Sequence, residues 1–242
     1  MSDKFVIITG GSRGLGLETV NLLLKNNYKV IVVSRNESDD LKSIIKKNKD
    51  KIFFKKFDLI NTAEIKNIVS EISREHGRVY GLINNAALGF DGILATMHEK
   101  EIGEIIKVNI EAPILLAKYV SRMMLLNNDG RIINIASIIA STGFNGLSVY
   151  AASKSALIGF TKSLSRELGK ANITVNSISP GYLETDMTQK MKDDNFAKIV
   201  RRSPMNRLAS LSDVSNAIIY LLSKEAHSVT GINLTIDAGS TA

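Results

Sequence analysis

Seven short apolar runs, each rich in β-branched residues, recur along this chain with helical segments between them. Phe5 to Thr9, Val30 to Ser34, Ile52 to Asp58, Val79 to Asn84, Arg131 to Ser137, Ile173 to Ser179 and Ile232 to Asp237 have strand length and near-continuous apolarity. Such runs suit parallel strands that are covered on both faces. Leu15 to Asn26, Thr62 to His76, Thr96 to Asn127, Tyr150 to Lys170 and Asp213 to Ser223 carry helical periodicity. Strands alternating with helices predict an α/β fold, a doubly wound parallel sheet of about seven strands with helices on both faces. The 242 residues show no repeat, low-complexity tract or linker, so one domain over 1–242 is expected. The polar stretch 183–204 interrupts the alternation, and its length suits a mobile lid over a site.

Composition narrows the class. A hydrophobic content of 44% describes a globular protein, and no apolar run approaches the roughly 20 residues that cross a bilayer. Met1-Ser2-Asp3-Lys4 leads straight into the first strand and does not resemble a cleavable signal, so no membrane association and a cytoplasmic home are expected. With no cysteine there is no disulfide, no thiolate catalysis and no cysteine metal site. The formal net charge is +7, and its densest run, Lys42 to Lys56, lacks interleaved aromatics for base stacking. Nucleic acid is therefore not the expected partner. The only histidines are His76, His98 and His227, and no metal site is predicted from them.

The first strand ends in Thr9-Gly10-Gly11-Ser12-Arg13-Gly14-Leu15-Gly16 and a helix follows at once. Glycines here would let the backbone turn tightly beside a pyrophosphate, and the helix N-terminus would supply amide donors. At the first strand–helix junction of an α/β chain, this predicts a Rossmann-type dinucleotide site built from Gly10, Ser12, Arg13, Gly14, Leu15 and Gly16. The second strand ends in Val33-Ser34-Arg35-Asn36, with no acid to accept ribose hydroxyls. Arg35 and Arg13 could instead clamp a 2′-phosphate, so NADP(H) is favoured over NAD(H). Asp58, at the end of the third strand, could accept a hydrogen bond from the adenine, with Leu59 beside it. After the fourth strand, Asn84-Asn85-Ala86-Ala87 would let a nicotinamide ribose approach the backbone, placing Asn85 and Ala86 at the cofactor.

Tyr150 and Lys154 lie four residues apart in Tyr-Ala-Ala-Ser-Lys, so on a helix they share one face. A cation beside a phenol favours the phenolate and brings a pKa of about 10 toward the working range. Ser137, thirteen residues upstream, falls at the end of the fifth strand, where its hydroxyl could hydrogen-bond a substrate carbonyl. No Gly-x-Ser-x-Gly elbow accompanies it, which excludes a serine-hydrolase reading. Asn109 sits inside the long apolar helix, where it costs helix propensity and could hold a water or bend the helix.

In order and spacing, Thr9-Gly10-x-x-x-Gly14-x-Gly16, Asn84-Asn85-Ala86, Asn109, Ser137, Tyr150-x-x-x-Lys154 and Pro180-Gly181 resemble the short-chain dehydrogenase/reductase family over essentially the whole chain. The resemblance implies that Tyr150 is the acid and that Ser137 steadies the reacting oxygen. It implies that Lys154 binds the nicotinamide ribose and lowers the tyrosine pKa, while Asn109 positions a water. It further implies that Pro180, Gly181 and Thr185 line the nicotinamide. Gly130 to Ile135, Gly159 to Leu164 and Gly181 to Met187 are most similar to reductases of 3-oxoacyl groups borne on acyl carrier protein. That likeness implies an acyl thioester substrate, free or carrier-bound, and a homotetramer.

Some positions depart from the pattern. Residue 87 is Ala where glycine is usual, and the tail from Asp237 to Ala242 lacks the second of two usual glycines. Asn128 and Ala171 stand where arginine would meet an acidic carrier; Arg122, Arg131 and Lys170 lie near in sequence and could substitute. Two other readings stay open: a reductase of another ketone, such as a secondary-metabolite or polysaccharide precursor, and a nucleotide-binding protein without turnover.

Overall fold

The structure is a computed structural model that describes residues 4–183 and 199–242. Seven strands form one sheet: β1 (Phe5–Thr9), β2 (Lys29–Ser34), β3 (Ile52–Lys56), β4 (Val79–Asn84), β5 (Gly130–Ile135), β6 (Ile173–Pro180) and β7 (Asn233–Ile236). Their order is β3-β2-β1-β4-β5-β6-β7, and every neighbouring pair is parallel. The chain winds outward from β1 to β3 and then returns to place β4 on the other side of β1. That reversal opens a crevice above the carboxyl ends of β1 and β4, where ligands bind in such sheets.

Alternate strand residues feed two cores. Ile7, Ile31, Leu82 and Ile132 point to one face and pack beneath α3 (Ile65–His76) and α5 (Ala112–Asn127). Val6, Ile8, Val32 and Ile133 point to the other, beneath α1 (Gly14–Lys25) and a later helix, Leu211–Leu222. Continuous apolarity in the strands thus reflects burial on both faces, as predicted from sequence.

The structure also contains α2 (Asp39–Lys47), which ends within the Lys42 to Lys56 run and packs Leu41, Ile44 and Ile45 toward the core. Polar chemistry starts it: Ser38 Oγ accepts from Leu41 N–H, and Asp39 and Asp40 fill the first turn. Three strands end earlier than predicted, β7 among them at Ile236 rather than Asp237. β3 stops at Lys56 rather than Asp58, and β5 at Ile135 rather than Ser137. Past Ile135 the chain still bonds β6, through Ala136 N–H to Ile178 O and Ile138 N–H to Pro180 O, while it turns into α6 (Ile139–Thr142).

The single helix predicted over Thr96 to Asn127 is interrupted. α4 (Glu99–Ile106) passes through a π-helical turn, Lys107–Glu111, before α5 begins. Ala112 N–H bonds Lys107 O, one residue farther back than an α-helix would reach. Pro113, which has no N–H, follows in the first turn of α5. Among the described residues the later α-helices are α7 (Ser148–Leu168) and α8 (Leu211–Leu222). Most of the stretch expected to form a lid, 183–204, lies outside the described residues, as does Thr185.

Candidate active site

The turn after β1 requires its glycines. Gly10 and Gly14 have φ of +69° and +53°, in the left-handed region. A β-carbon on Gly16 would run into the Gly10 carbonyl oxygen, and one on Gly10 would come within 3.0 Å of the Ala86 Cα. Gly14 by contrast is exposed, with nothing within 4 Å of its missing β-carbon. Arg13 precedes α1 in extended backbone, its side chain makes no capping bond, and no acid lies in the first turn. The N-terminal amides of α1 thus meet an open cradle, which fits an anionic pyrophosphate.

Threonine and asparagine stitch this turn to β4. Thr9 Oγ1 accepts from Asn85 N–H and Ala86 N–H, both at 3.0 Å. Asn85 Nδ2 donates to Thr9 O at 2.9 Å and to Gly10 O at 3.3 Å. Both amide hydrogens of Asn85 therefore hold the loops on either side of the crevice in register. Ala87 is exposed and its φ is not positive, so the backbone there does not require the family's glycine.

Arg13 and Arg35 are both exposed at this edge. Their loops are tied by serines: Ser12 Oγ lies 3.2 Å from Ser34 Oγ, and Ser38 Oγ donates to Ser12 O at 2.5 Å. Of these, Ser12 is expected at the cofactor from the sequence, while Ser34 and Ser38 are not. Asp58 Oδ1 accepts from Ile60 N–H at 3.2 Å in a tight turn, and Leu59 is buried against the sheet.

Past β5, Ser137 Oγ accepts from Ile139 N–H at 3.2 Å and sits beside the phenol of Tyr150 on α7. Burial pushes the Tyr150 phenol above its ordinary pKa, and the neighbouring Ser137 hydroxyl works against that rise. Lys154 is only 2% exposed, and its Nζ donates to Ile135 O at 2.7 Å. Burial pulls its ammonium down to about 8. The Nζ stands 5.7 Å from the centre of the Tyr150 ring, so lysine and tyrosine do share one helix face.

Asn109 is fully buried in the π-helical turn. Its Oδ1 accepts from Leu88 N–H and its Nδ2 donates to Leu88 O and, at 3.0 Å, to Ser153 Oγ. Ser153 in turn donates to Tyr150 O at 2.7 Å. The side chain therefore joins the loop after β4 to α7 across the π-helical turn. Ser153 had not been singled out, although it lies inside Tyr-Ala-Ala-Ser-Lys. A buried ladder also docks α7 on the sheet: Asn84 Nδ2 bonds Asn134 Oδ1 at 2.8 Å, and Asn134 Nδ2 bonds Thr161 Oγ1 at 2.9 Å.

Beside Ser137 opens a cleft of about 200 Å³, walled by Ile138, Ile139, Phe144, Tyr182, Leu208 and Thr241. Pro180 ends β6 at this edge, and Gly181 N–H bonds Ile236 O at 2.9 Å. One of the cations considered for a carrier is withdrawn from solvent. Arg131 is 5% exposed and its guanidinium bonds Gly130 O, Asn172 O and Asp129. Arg122 and Lys170 remain exposed.

Glycine cradle, serine–tyrosine pair and buried lysine stand together at the carboxyl edge of a doubly wound sheet, and residues 4–195 match the short chain dehydrogenase family; the chain belongs to it. Membership implies a nicotinamide cofactor. Among relatives, the 3-oxoacyl-[acyl-carrier-protein] reductase of Escherichia coli K12 is 36% identical over 238 residues, covering 98% of this chain and 96% of that one. Proteins of the same description from Vibrio cholerae and Buchnera aphidicola are 34% and 37% identical, each covering 99% of this chain and 98% of its own length.

Proposed function

We propose that this protein is an NADPH-dependent reductase of 3-oxoacyl thioesters, with 1–242 forming one reductase domain. The observation that carries the reading is the Tyr150 phenol set beside the Ser137 hydroxyl, with Lys154 buried on the same face of α7. Identity of 34–37% to 3-oxoacyl-[acyl-carrier-protein] reductases along nearly the whole chain supports the substrate class.

When bound, the cofactor supplies a hydride to the ketone carbon. The protein does the rest. The N-terminal amides of α1, with Gly10 to Gly16, would hold the pyrophosphate, and Asn85 keeps that cradle closed on Ala86. Asp58 and Leu59 would flank the adenine; Pro180, Gly181 and Thr185 would flank the nicotinamide. Arg13 and Arg35, exposed on loops tied by Ser12, Ser34 and Ser38, would take a 2′-phosphate, which favours NADPH.

Tyr150 would donate its phenolic proton to the substrate oxygen as negative charge develops there. Ser137 would hydrogen-bond the same oxygen and steady it, a preorganised donor of the kind that stabilises oxyanions. Lys154 would turn from Ile135 O toward the ribose hydroxyls, and its ammonium would stabilise the phenolate left behind. Asn109 would position a water on the path that returns the proton, while its amide holds Leu88 and Ser153.

An acidic carrier is the proposed partner, because Arg201 and Arg202 are exposed where the cleft opens. A homotetramer is the proposed assembly. Ile106, Ile114, Leu125 and Leu126 present apolar surface along α4 and α5, with Leu126 86% exposed. No helix among the described residues is long and apolar enough to cross a membrane; we place the protein in the cytoplasm. The deciding experiment compares acetoacetyl thioesters with a panel of other ketones, using NADPH and NADH in parallel. Turnover confined to another ketone would overturn the acyl reading.

A further inference from the structure

We infer that Asp237 is a positioning residue whose carboxylate folds the C-terminal turn into a wall of the substrate cleft. Asp237 follows β7 and is buried. Its Oδ1 accepts from Gly239 N–H at 2.9 Å. Its Oδ2 accepts from Ser240 Oγ at 3.0 Å, Thr241 N–H at 2.9 Å and Thr241 Oγ1 at 2.7 Å. One buried carboxylate thus takes the hydrogen bonds of three of the last four residues. Carboxylates so held are strongly ordering, since each such bond to a charged acceptor exceeds a neutral one.

The turn is tied on two further sides. Gly181 packs against Asp237 so closely that a β-carbon there would fall 2.6 Å from the aspartate Cβ. Ser203 Oγ donates to Ala238 O at 2.6 Å, and Gly239 lies on the Pro204 ring. Ala238 itself is held at φ +55°, a left-handed conformation that disfavours any residue with a β-carbon. Strain of that kind persists only where neighbours over-determine the backbone, and it concentrates at functional sites. The result is that Ser240 and Thr241 face the same cleft as Ile138 and Ile139, the residues directly after Ser137.

Asp237 therefore acts on the substrate through the wall it builds, next to the Pro180-Gly181 segment. This inference rests on the reading of the cleft as the ketone site, and it makes the tail a determinant of substrate affinity with little influence on the chemical step.

The test uses two variants of the full protein, Asp237→Asn and a chain that ends at Gly239. The shortened chain keeps the Asp237–Gly239 bond, so it decides the matter if Asp237→Asn fails to fold. KM for the ketone should rise about tenfold in each folded variant, with kcat within about twofold of the parent, the signature of lost ground-state binding. The NADPH dissociation constant, followed by cofactor fluorescence, should stay within about twofold. An unchanged KM overturns the inference, and so does a KM effect matched by an equal loss of cofactor affinity, which would mark general loosening. Parent turnover of acetoacetyl thioester judges the acyl reading separately, because the variant-to-parent ratio can be taken on whichever ketone the parent reduces.

Discussion

Asn109 closes on both backbone polar groups of Leu88, accepting from its N–H at 2.7 Å and donating to its carbonyl at 2.8 Å. A buried side-chain amide thereby does for the loop after β4 what a neighbouring strand would otherwise do. The next residue, Gly89, lies against the Tyr150 ring, 3.4 Å from its Cδ2 measured from a built β-carbon. Asn109 thus sets the distance between that loop and the proposed acid.

Replacing it should be costly. Asn109→Leu leaves the Leu88 amide and carbonyl and the Ser153 hydroxyl short of a partner, a loss of about 2–4 kcal/mol. For a domain of this size that is roughly 5–12 °C in Tm by calorimetry. A fall below about 2 °C would show that the amide pair carries little.

Tyr150→Phe removes the proton and keeps the ring. NADPH oxidation should fall by about 10²–10⁴-fold, the usual worth of a positioned acid. Cofactor affinity, measured by fluorescence titration, should barely change. Near-normal turnover would remove Tyr150 from the acid role.

Lys154 gives a pH signature independent of turnover. Burial lowers its ammonium from 10.5 to about 8. Below about pH 8 both folded and unfolded chains hold the proton and the burial cost is fully present. Between about 8 and 10.5 the unfolded chain holds a proton that the folded one has lost, so stability rises with pH. Urea melts of the cofactor-free protein should therefore gain, relative to Lys154→Met, on the order of 3 kcal/mol across that window. Parallel pH profiles for the two proteins would contradict a buried, titrating lysine.

Arg35 stands exposed at the end of β2, across the serine contacts from Arg13. Arg35→Asp should move the NADPH-to-NADH ratio of kcat/KM toward NADH by about tenfold or more, because a guanidinium–phosphate pair is lost and a repulsion added. An unchanged ratio would take Arg35 out of the site.

Charge at the cleft mouth can be separated from the cleft itself. Lys198 lies outside the described residues, and near the cleft Arg207 is engaged by Asp213 at 3.1 Å while Arg201 and Arg202 are exposed. Reversing Arg201 and Arg202 to Glu should lower kcat/KM on a carrier-bound substrate about tenfold more than on its coenzyme A counterpart. The gap should narrow as salt rises. Equal effects on both substrates would dismiss the docking surface.

The sheet was legible because both-face burial writes itself as continuous apolar runs, and the cradle because Gly10 and Gly16 answer to steric needs that no other residue meets. Tyr150, Lys154 and Ser137 were legible through spacing. α2 was not read in full, since Leu41, Ile44 and Ile45 form only a short apolar stripe among charged residues. Nor was the break at Lys107–Glu111, because buried residues continue on either side of it with little change of period. Arg131 read as a surface cation, yet it lies under Asp129 and beside the Tyr80 ring, a burial that only tertiary partners make possible. Asp237 read as the end of a strand, and its bonds to the last residues depend on a turn at Ala238 that no pattern announces.

The π-helical turn around Asn109 closes over one more residue than an α-helical turn does. Loss of a single residue there would restore ordinary helical bonding and leave α4 and α5 joined without a break. The core faces of Ile105, Leu116 and Val120 would still find the sheet, while the asparagine's hold on Leu88 would be gone. Deletion of one codon here would thus keep the architecture while releasing the loop that lies against the Tyr150 ring. The fold itself does not require the turn; the grip of Asn109 on Leu88 and Ser153 does.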